Sequence, residues 1–363
     1  MPIARELTWQ RWLICVGGAL IGMLTVLAGS MWVGTQQGDV GRAVDVLLGR
    51  ADGGEHRMAY ELVFGLRLPR TLLALMAGLT LALAGATFQG MLRNPLAEPF
   101  TLGVASGGAL GALIVLKCGA AIGLTWQWAG PSPVQIAAFL GALVVVLIVY
   151  GLGRSMGMLN IYDLLLAGVT MALFCGAAMM AVQYFADYRE LFGMIRWMMG
   201  GVETVGYRDV ISTLCLVVPA WVILLALCGA LNQLSLGEDL AGARGVPVGR
   251  VQAAGFFAAS LATGAIVAAC GPIGFVGLIV PHAVRAVVGP DHRVLMPTAA
   301  LVGGAFLVVC DWVSRMILPF YGDVRGLDLQ GVQLPIGVIT ALMGGPFFLV
   351  LLLRSRRAER VVR

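Results

Sequence analysis

Few side chains in this 363-residue chain have the type and spacing for chemistry. A phosphate-cradling loop of the Walker type must end in Gly-Lys-Ser/Thr. The only lysine, Lys117, is followed by Cys118, so any ATP hydrolysis belongs to another polypeptide. No His-Glu-x-x-His zinc pair and no dinucleotide fingerprint occurs. Ion-coupled carriers tend to place acids or histidines inside the membrane. The clear mid-span acid here is Asp311, and Arg315 lies four residues on, on the same helix face, where it can neutralise the carboxylate. That pair reads as structural rather than as a proton relay. His282 and His292 flank a polar turn, where a histidine more often caps or hydrogen-bonds than ligates a metal. The seven cysteines are scattered through or beside apolar stretches with no metal or redox spacing, and read as small buried hydrophobes.

A polar break from Asn232 to Arg250 has more pattern. Glu238 and Asp239 open a short segment and Arg244 closes it, the charge order that a helix dipole favours. Gly245 follows where a left-handed residue is easy, and Pro247 can begin a second short helix. Two short helices joined by a tight turn are expected between two membrane spans. The segment is either a solvated loop or a docking element for a partner that pushes on the membrane domain.

The elements around these residues follow from composition. Hydrophobic residues make up 59% of the chain and charged residues 12%, with 50 glycines and a mean hydropathy of +0.91. Soluble proteins carry about 25% charged residues, so this chain lacks the polar surface to be soluble. A transmembrane β-barrel needs alternating segments, whereas Phe139 to Leu152 is continuously apolar. The expectation is an all-α polytopic membrane protein of about ten transmembrane helices.

Span one runs from about Trp12 to Val33, without a clear cleavage site after it. A mixed-charge stretch from Gly34 to Leu66 is expected on the surface. Spans two to six are Pro69 to Met91, Phe100 to Leu116, Val134 to Leu152, Leu164 to Phe185 and Val210 to Leu231. The amphipathic piece from Asp187 to Asp209 reads as interfacial or re-entrant. Beyond the break come Val251 to Ala269, a short eighth span to about Val280, Leu295 to Leu318 and Leu334 to Leu353. A polar link from Pro281 and a basic tail (Arg354, Arg356, Arg357, Arg360, Arg363) complete the chain. This gives four regions: 1–66, the first helix and an external loop; 67–231, helices two to six; 232–250, the polar break; and 251–363, helices seven to ten with the tail. Ten spans put both termini on one side, and the basic tail assigns that side to the cytoplasm.

Several motifs then carry a resemblance. Arg67-Leu68-Pro69-Arg70, Gln89, Asn94-Pro95-Leu96-Ala97-Glu98-Pro99 and Leu102-Gly103-Val104 with Ser106-Gly107 occur in that order. Trp197-Met198-Met199-Gly200-Gly201, Leu236-Gly237-Glu238 and Gly274-Phe275-Val276-Gly277-Leu278 follow. Pro281-His282 with Arg285, Asp291-His292-Arg293 and Leu334-Pro335-Ile336-Gly337-Val338 complete the series. This resembles the FecCD-type permeases, membrane subunits of ABC importers for iron-siderophore complexes, haem and vitamin B12.

The resemblance implies the type II ABC importer permease architecture and a homodimer with the path on its twofold axis. The implied partners are two copies of an ABC ATPase, a periplasmic substrate-binding protein, a second copy of the permease and membrane lipid, with no nucleic acid. No cofactor or metal is expected on this chain, and ATP and magnesium belong to the ATPase. Leu236, Gly237, Glu238, Asp239, Leu240, Arg244 and Gly245 take the role of ATPase coupling, passing its closure to spans three to five and ten. Arg67, Arg70 and Arg315 match external arginines that pair with acidic residues of the binding protein. Asn160, Ile161 and Tyr162 fall at the family's cytoplasmic gate, where small hydroxyl residues are more usual; Gly103, Ser106 and Gly107 are expected along the path or in helix packing. The implied cargo is an iron(III)-siderophore-type chelate, with cobalamin or haem as the alternative. A secondary, ion-coupled transporter is the alternative from another class.

Overall fold

The computed structural model describes residues 8–32, 39–50, 53–118, 131–155, 158–159, 161–202, 206–329 and 332–362. Asn160 and Arg363 lie outside these residues, as does the side chain of Ile161. Inside lipid every backbone polar group needs an internal partner, so apolar runs of this length fold as helices. The first, α1 (Trp9–Trp32), leans on the rest through Arg11, whose guanidinium donates to the carbonyl of Val288.

Residues 34–66 depart from the expected surface loop. They contain α2 (Asp39–Leu47) and α3 (Gly54–Tyr60), and α3 continues through a π-helical segment (Glu61–Arg67) into α4 (Leu68–Met91). Gly54–Met91 is thus one helix of 38 residues. At 1.5 Å per residue it is roughly 57 Å long and overshoots a hydrocarbon core of about 30 Å. A small apolar set explains the order: Ala43, Ala59 and Val63 are buried against Val40, Tyr60 and Phe64. The charged residues between them hid this set in a reading by polarity. Carbonyls of the wide π turn take donors from a distant segment. Tyr207 Oη donates to the carbonyl of Phe64 at 2.7 Å and the Gly206 amide to that of Gly65 at 3.0 Å.

After the turn at 92–98 a 3-10 segment (Pro99–Leu102) leads into α5 (Val104–Cys118). Then come α6 (Pro133–Gly153), a two-residue strand pair (Arg154–Ser155 with Met158–Leu159), α7 (Ile161–Tyr184) and the amphipathic α8 (Tyr188–Met198). Asp187 and Glu190 form a reciprocal capping box at the start of α8, and Glu190 also takes Lys117 at 2.6 Å. Together these hold the Glu190 carboxyl below its ordinary value. The sixth span stops early: α9 (Arg208–Ala226) ends and α10 (Cys228–Leu234) begins after Leu227.

The central break holds α11 (Glu238–Ala243), and α12 (Val248–Cys270) follows directly. The expected second short helix at Pro247 does not form. Pro247 caps α12 instead, because Val248 and Val251 are already buried and draw the chain into the bundle. The eighth span, α13 (Val276–Val288), absorbs Pro281 and His282, so the polar link shrinks to 289–291. Finally α14 (His292–Arg325) and α15 (Ile336–Val362) run past their expected ends. Among the described residues, seven helices are long and apolar enough to cross a membrane. Three shorter apolar helices, Val104–Cys118, Val276–Val288 and Ile336–Val350, accompany them among the described residues.

The centre is built on α4, α12 and α14. Small residues allow helix backbones to touch where lipid gives no hydrophobic drive. A Cβ at Gly78 would overlap the carbonyl of Gly303 on α14, and one at Gly85 that of Gly277 on α13. These contacts make α4 the post around which the polar ends of the bundle are set.

Candidate functional site

At one end of α4 the chain gathers α10, α11, the 92–98 turn and the start of α14. The α11 helix is only six residues long and is bounded by two left-handed glycines, Gly237 at φ 119° and Gly245 at φ 84°. Ala241 is fully buried beneath it, while Leu236 and Leu240 are 54% and 55% exposed. Asp239 and Arg244 are exposed too, and Arg244 Nη1 donates to Gln233 Oε1 at 2.7 Å. Two leucines four residues apart thus stand outward on a polar rim.

Glu238 faces the other way. Gln252 Nε2 donates to its Oε1 at 3.0 Å, and Arg93 Nη2 lies 3.9 Å from the same oxygen. Upstream, Asn232 Nδ2 donates to Asp291 Oδ1 at 2.7 Å, and the His292 amide donates to Asn232 Oδ1 at 2.8 Å. The His292 ring Nδ1 is also 2.8 Å from that oxygen, so this histidine hydrogen-bonds. These polar links run to the ends of α4, α12 and α14, whereas the sequence suggested transmission to spans three to five and ten. Neither Gln252 nor the Asn232 pairing was legible in the sequence. The helix-capping signature of Asp291 before His292 was the available signal.

In the same region, Glu98 ends the turn after α4. Burial raises its carboxyl to about 7, and Oε2 finds no hydrogen-bond partner. The run Gly153-Arg154-Ser155-Met156-Gly157 spells a nucleophile motif, yet its described part passes from the last residue of α6 into a strand. A nucleophile elbow needs the reverse, a strand leading to a helix.

The opposite end of α4 carries the arginines. Arg70 Nε donates to Asp311 Oδ1 at 2.9 Å and Nη1 to Gln333 Oε1 at 2.7 Å. Arg315 Nε approaches Asp311 Oδ2 at 3.1 Å as an ion pair, and Asp311 is 1% exposed. The sequence pointed to the Arg315 partner and missed Arg70, whose chain distance of 241 residues leaves no local signal. Arg67 is buried at the foot of the same helix.

Of the proposed path residues, Gly103 and Gly107 are buried in helix contacts. Gly103 is left-handed at φ 76°, and a Cβ on Gly107 would sit 2.7 Å from the Gly141 carbonyl of α6. Ser106 is half-buried, and Tyr162 at the start of α7 is 85% exposed. Of the cysteines, Cys175, Cys228, Cys270 and Cys310 are buried, Cys15 is half-buried, and Cys118 and Cys215 are exposed.

Comparison with known proteins bears on the family and the fold. The model of the FecCD transport family matches residues 19–354. The cobalamin import system permease protein BtuC of Halobacterium salinarum is 40% identical over 82% of this chain and 75% of that protein. The vitamin B12 import system permease protein BtuC of Escherichia coli (strain HS) is 34% identical over 98% of this chain and 100% of its own length. The hemin transport system permease protein HmuU of Yersinia pestis is 36% identical over 82% of this chain and 84% of that protein. A solved structure of a metal-chelate type ABC transporter in an inward-facing conformation aligns with a TM-score of 0.77, at 27% identity over 93% of this chain and 98% of that one. The chain belongs to the FecCD transport family and is a multi-pass permease of an ABC importer.

Proposed function

We propose that this permease carries an intact metal chelate inward by alternating access, driven by ATP that binds and is hydrolysed on a separate ATPase. The observation that carries the reading is the outward pair Leu236, in the turn before α11, and Leu240, on that short, backed helix. A transporter run by an ion gradient has no use for such a face. In this reading the α11 end and both termini are cytoplasmic, in a bacterial inner membrane. Two permease copies and two ATPase copies assemble within lipid, ATP and magnesium sit on the ATPase, and this chain holds no cofactor.

Arg67, Arg70 and Arg315 take the binding-protein side. Arg70 and Arg315 outnumber Asp311 between them, which leaves positive charge at that rim to steer an acidic partner. Ser106 and Tyr162, with Asn160 and Ile161, are assigned to the gate and path.

For the cargo, relatives named for cobalamin and haemin put a tetrapyrrole-type chelate ahead of an iron-siderophore. Uptake into proteoliposomes holding permease, ATPase and binding protein tests this with cyanocobalamin, haemin and ferrichrome in parallel. ATP-dependent accumulation of cyanocobalamin or haemin supports the reading. Accumulation of ferrichrome alone returns the cargo to the siderophores, and accumulation of none rejects chelate import.

A further inference from the structure

We propose that Glu238 is a positioning residue, clamping α11 to the ends of α4 and α12 rather than touching the ATPase, while Asn232 latches the same segment to α14. The proposal rests on the reading of α11 as the ATPase-docking element. A six-residue helix does not hold its own shape or direction in isolation. Its orientation must come from side chains that tie it to the bundle.

The two acids that open α11 divide the work. Asp239 is exposed, whereas the Glu238 side chain is only 21% exposed and turns inward. Its inward donor, Gln252, is 1% exposed. Its other partner, Arg93, holds φ at 48°, a left-handed conformation uncommon for a residue with a side chain. That turn brings the guanidinium beneath the start of α11, where a Cβ on Gly237 would sit 4.0 Å from Arg93 Nη1. The second latch is independent of the first. Asn232 bonds Asp291 and His292, and the His292 ring lies against Gly90 near the end of α4. The latches at Asn232 on α10 and at Glu238 at the start of α11 therefore fix the approach to α11 to one block, in which α4 and α14 already touch through Gly78 and Gly303. Force applied at Leu236 and Leu240 enters α4, α12 and α14 together.

The test uses the full-length permease with its ATPase and binding protein in proteoliposomes, comparing wild type, Glu238→Ala, the exchange Glu238→Arg with Arg93→Glu, and Leu240→Arg. Three quantities are read: ATPase retained on purification, the melting temperature of the permease, and chelate taken up per ATP hydrolysed. The probe is whichever of cyanocobalamin, haemin and ferrichrome the wild type accumulates. Loss of a hydrogen bond to a charged group predicts that Glu238→Ala keeps its ATPase while uptake per ATP falls about tenfold. The charge exchange restores most of that coupling. Release of the ATPase by Glu238→Ala, as by Leu240→Arg, makes Glu238 a direct contact and overturns the clamp. Unchanged coupling in Glu238→Ala overturns it as well. Should Glu238→Ala fail to fold, the exchanged pair decides: recovered coupling upholds the clamp and no recovery rejects it. Retention of the ATPase by Leu240→Arg counts against the docking face alone.

Discussion

Asp311 sits 1% exposed between Arg70 at 2.9 Å and Arg315 at 3.1 Å, so the anion is buried only in company. Removing one partner of a buried ion group leaves charge without compensation, which costs about 3 kcal/mol or more. Asp311→Asn is therefore expected to lower the stability of the purified permease by about 3 kcal/mol in thermal unfolding. An unchanged unfolding curve would show that the two arginines do not need the carboxylate. Glu98 gives a second prediction, with a sign opposite to that of most carboxylates. Burial raises its folded value from 4.5 to about 7, so the folded chain holds this proton more tightly than the unfolded one. The stability contributed is complete below pH 4.5 and is lost as pH rises through about 7. Glu98→Gln removes that dependence, and the stability of wild type relative to the variant should fall across this window. A constant difference between the two from pH 4.5 to 7 would contradict the assignment.

Among the elements, glycine contacts set how closely the helices approach. Gly85 has the Gly277 carbonyl where a side chain would go, so Gly85→Val should destabilise by about 3 kcal/mol. Gly176 on α7 has open space around it, and Gly176→Ala should change stability by no more than about 0.5 kcal/mol. Gel filtration and thermal unfolding of the two variants separate a packing role from a general intolerance to substitution. The sequence made these elements legible where apolar runs were long, and α4, α7 and α12 lie close to their expected places. It misled where polarity and helicity part company. Residues 54–66 are helical although charged, because Ala59, Val63 and Phe64 have Ala43 and Val40 to pack against. Pro247 looked like the start of a separate helix, yet Val248 and Val251 in the first turn after it are already buried. Charge order and Gly245 together placed α11, since Glu238, Asp239 and Arg244 follow the dipole order and Gly245 ends the helix.

For the molecule as a whole, the two ends of α4 divide the labour. One end carries the braced α11 with its outward leucines, the other the arginines around Asp311, and helices packed through glycine join them. The membership of each end was readable from span counting. The links within each end were not, because Asn232 with Asp291, and Arg70 with Asp311, are tertiary partners that carry no mark in local sequence. The most direct measurement of the account's central claim is ATP-dependent chelate uptake by proteoliposomes supplied with the binding protein, with wild type or Leu240→Arg, in the presence and absence of the ATPase. The account predicts uptake only for wild type with the ATPase and ATP, and loss of both ATPase binding and uptake for a Leu240→Arg permease that remains folded. Uptake by the wild type without any ATPase would contradict it and leave a gradient-driven carrier in its place.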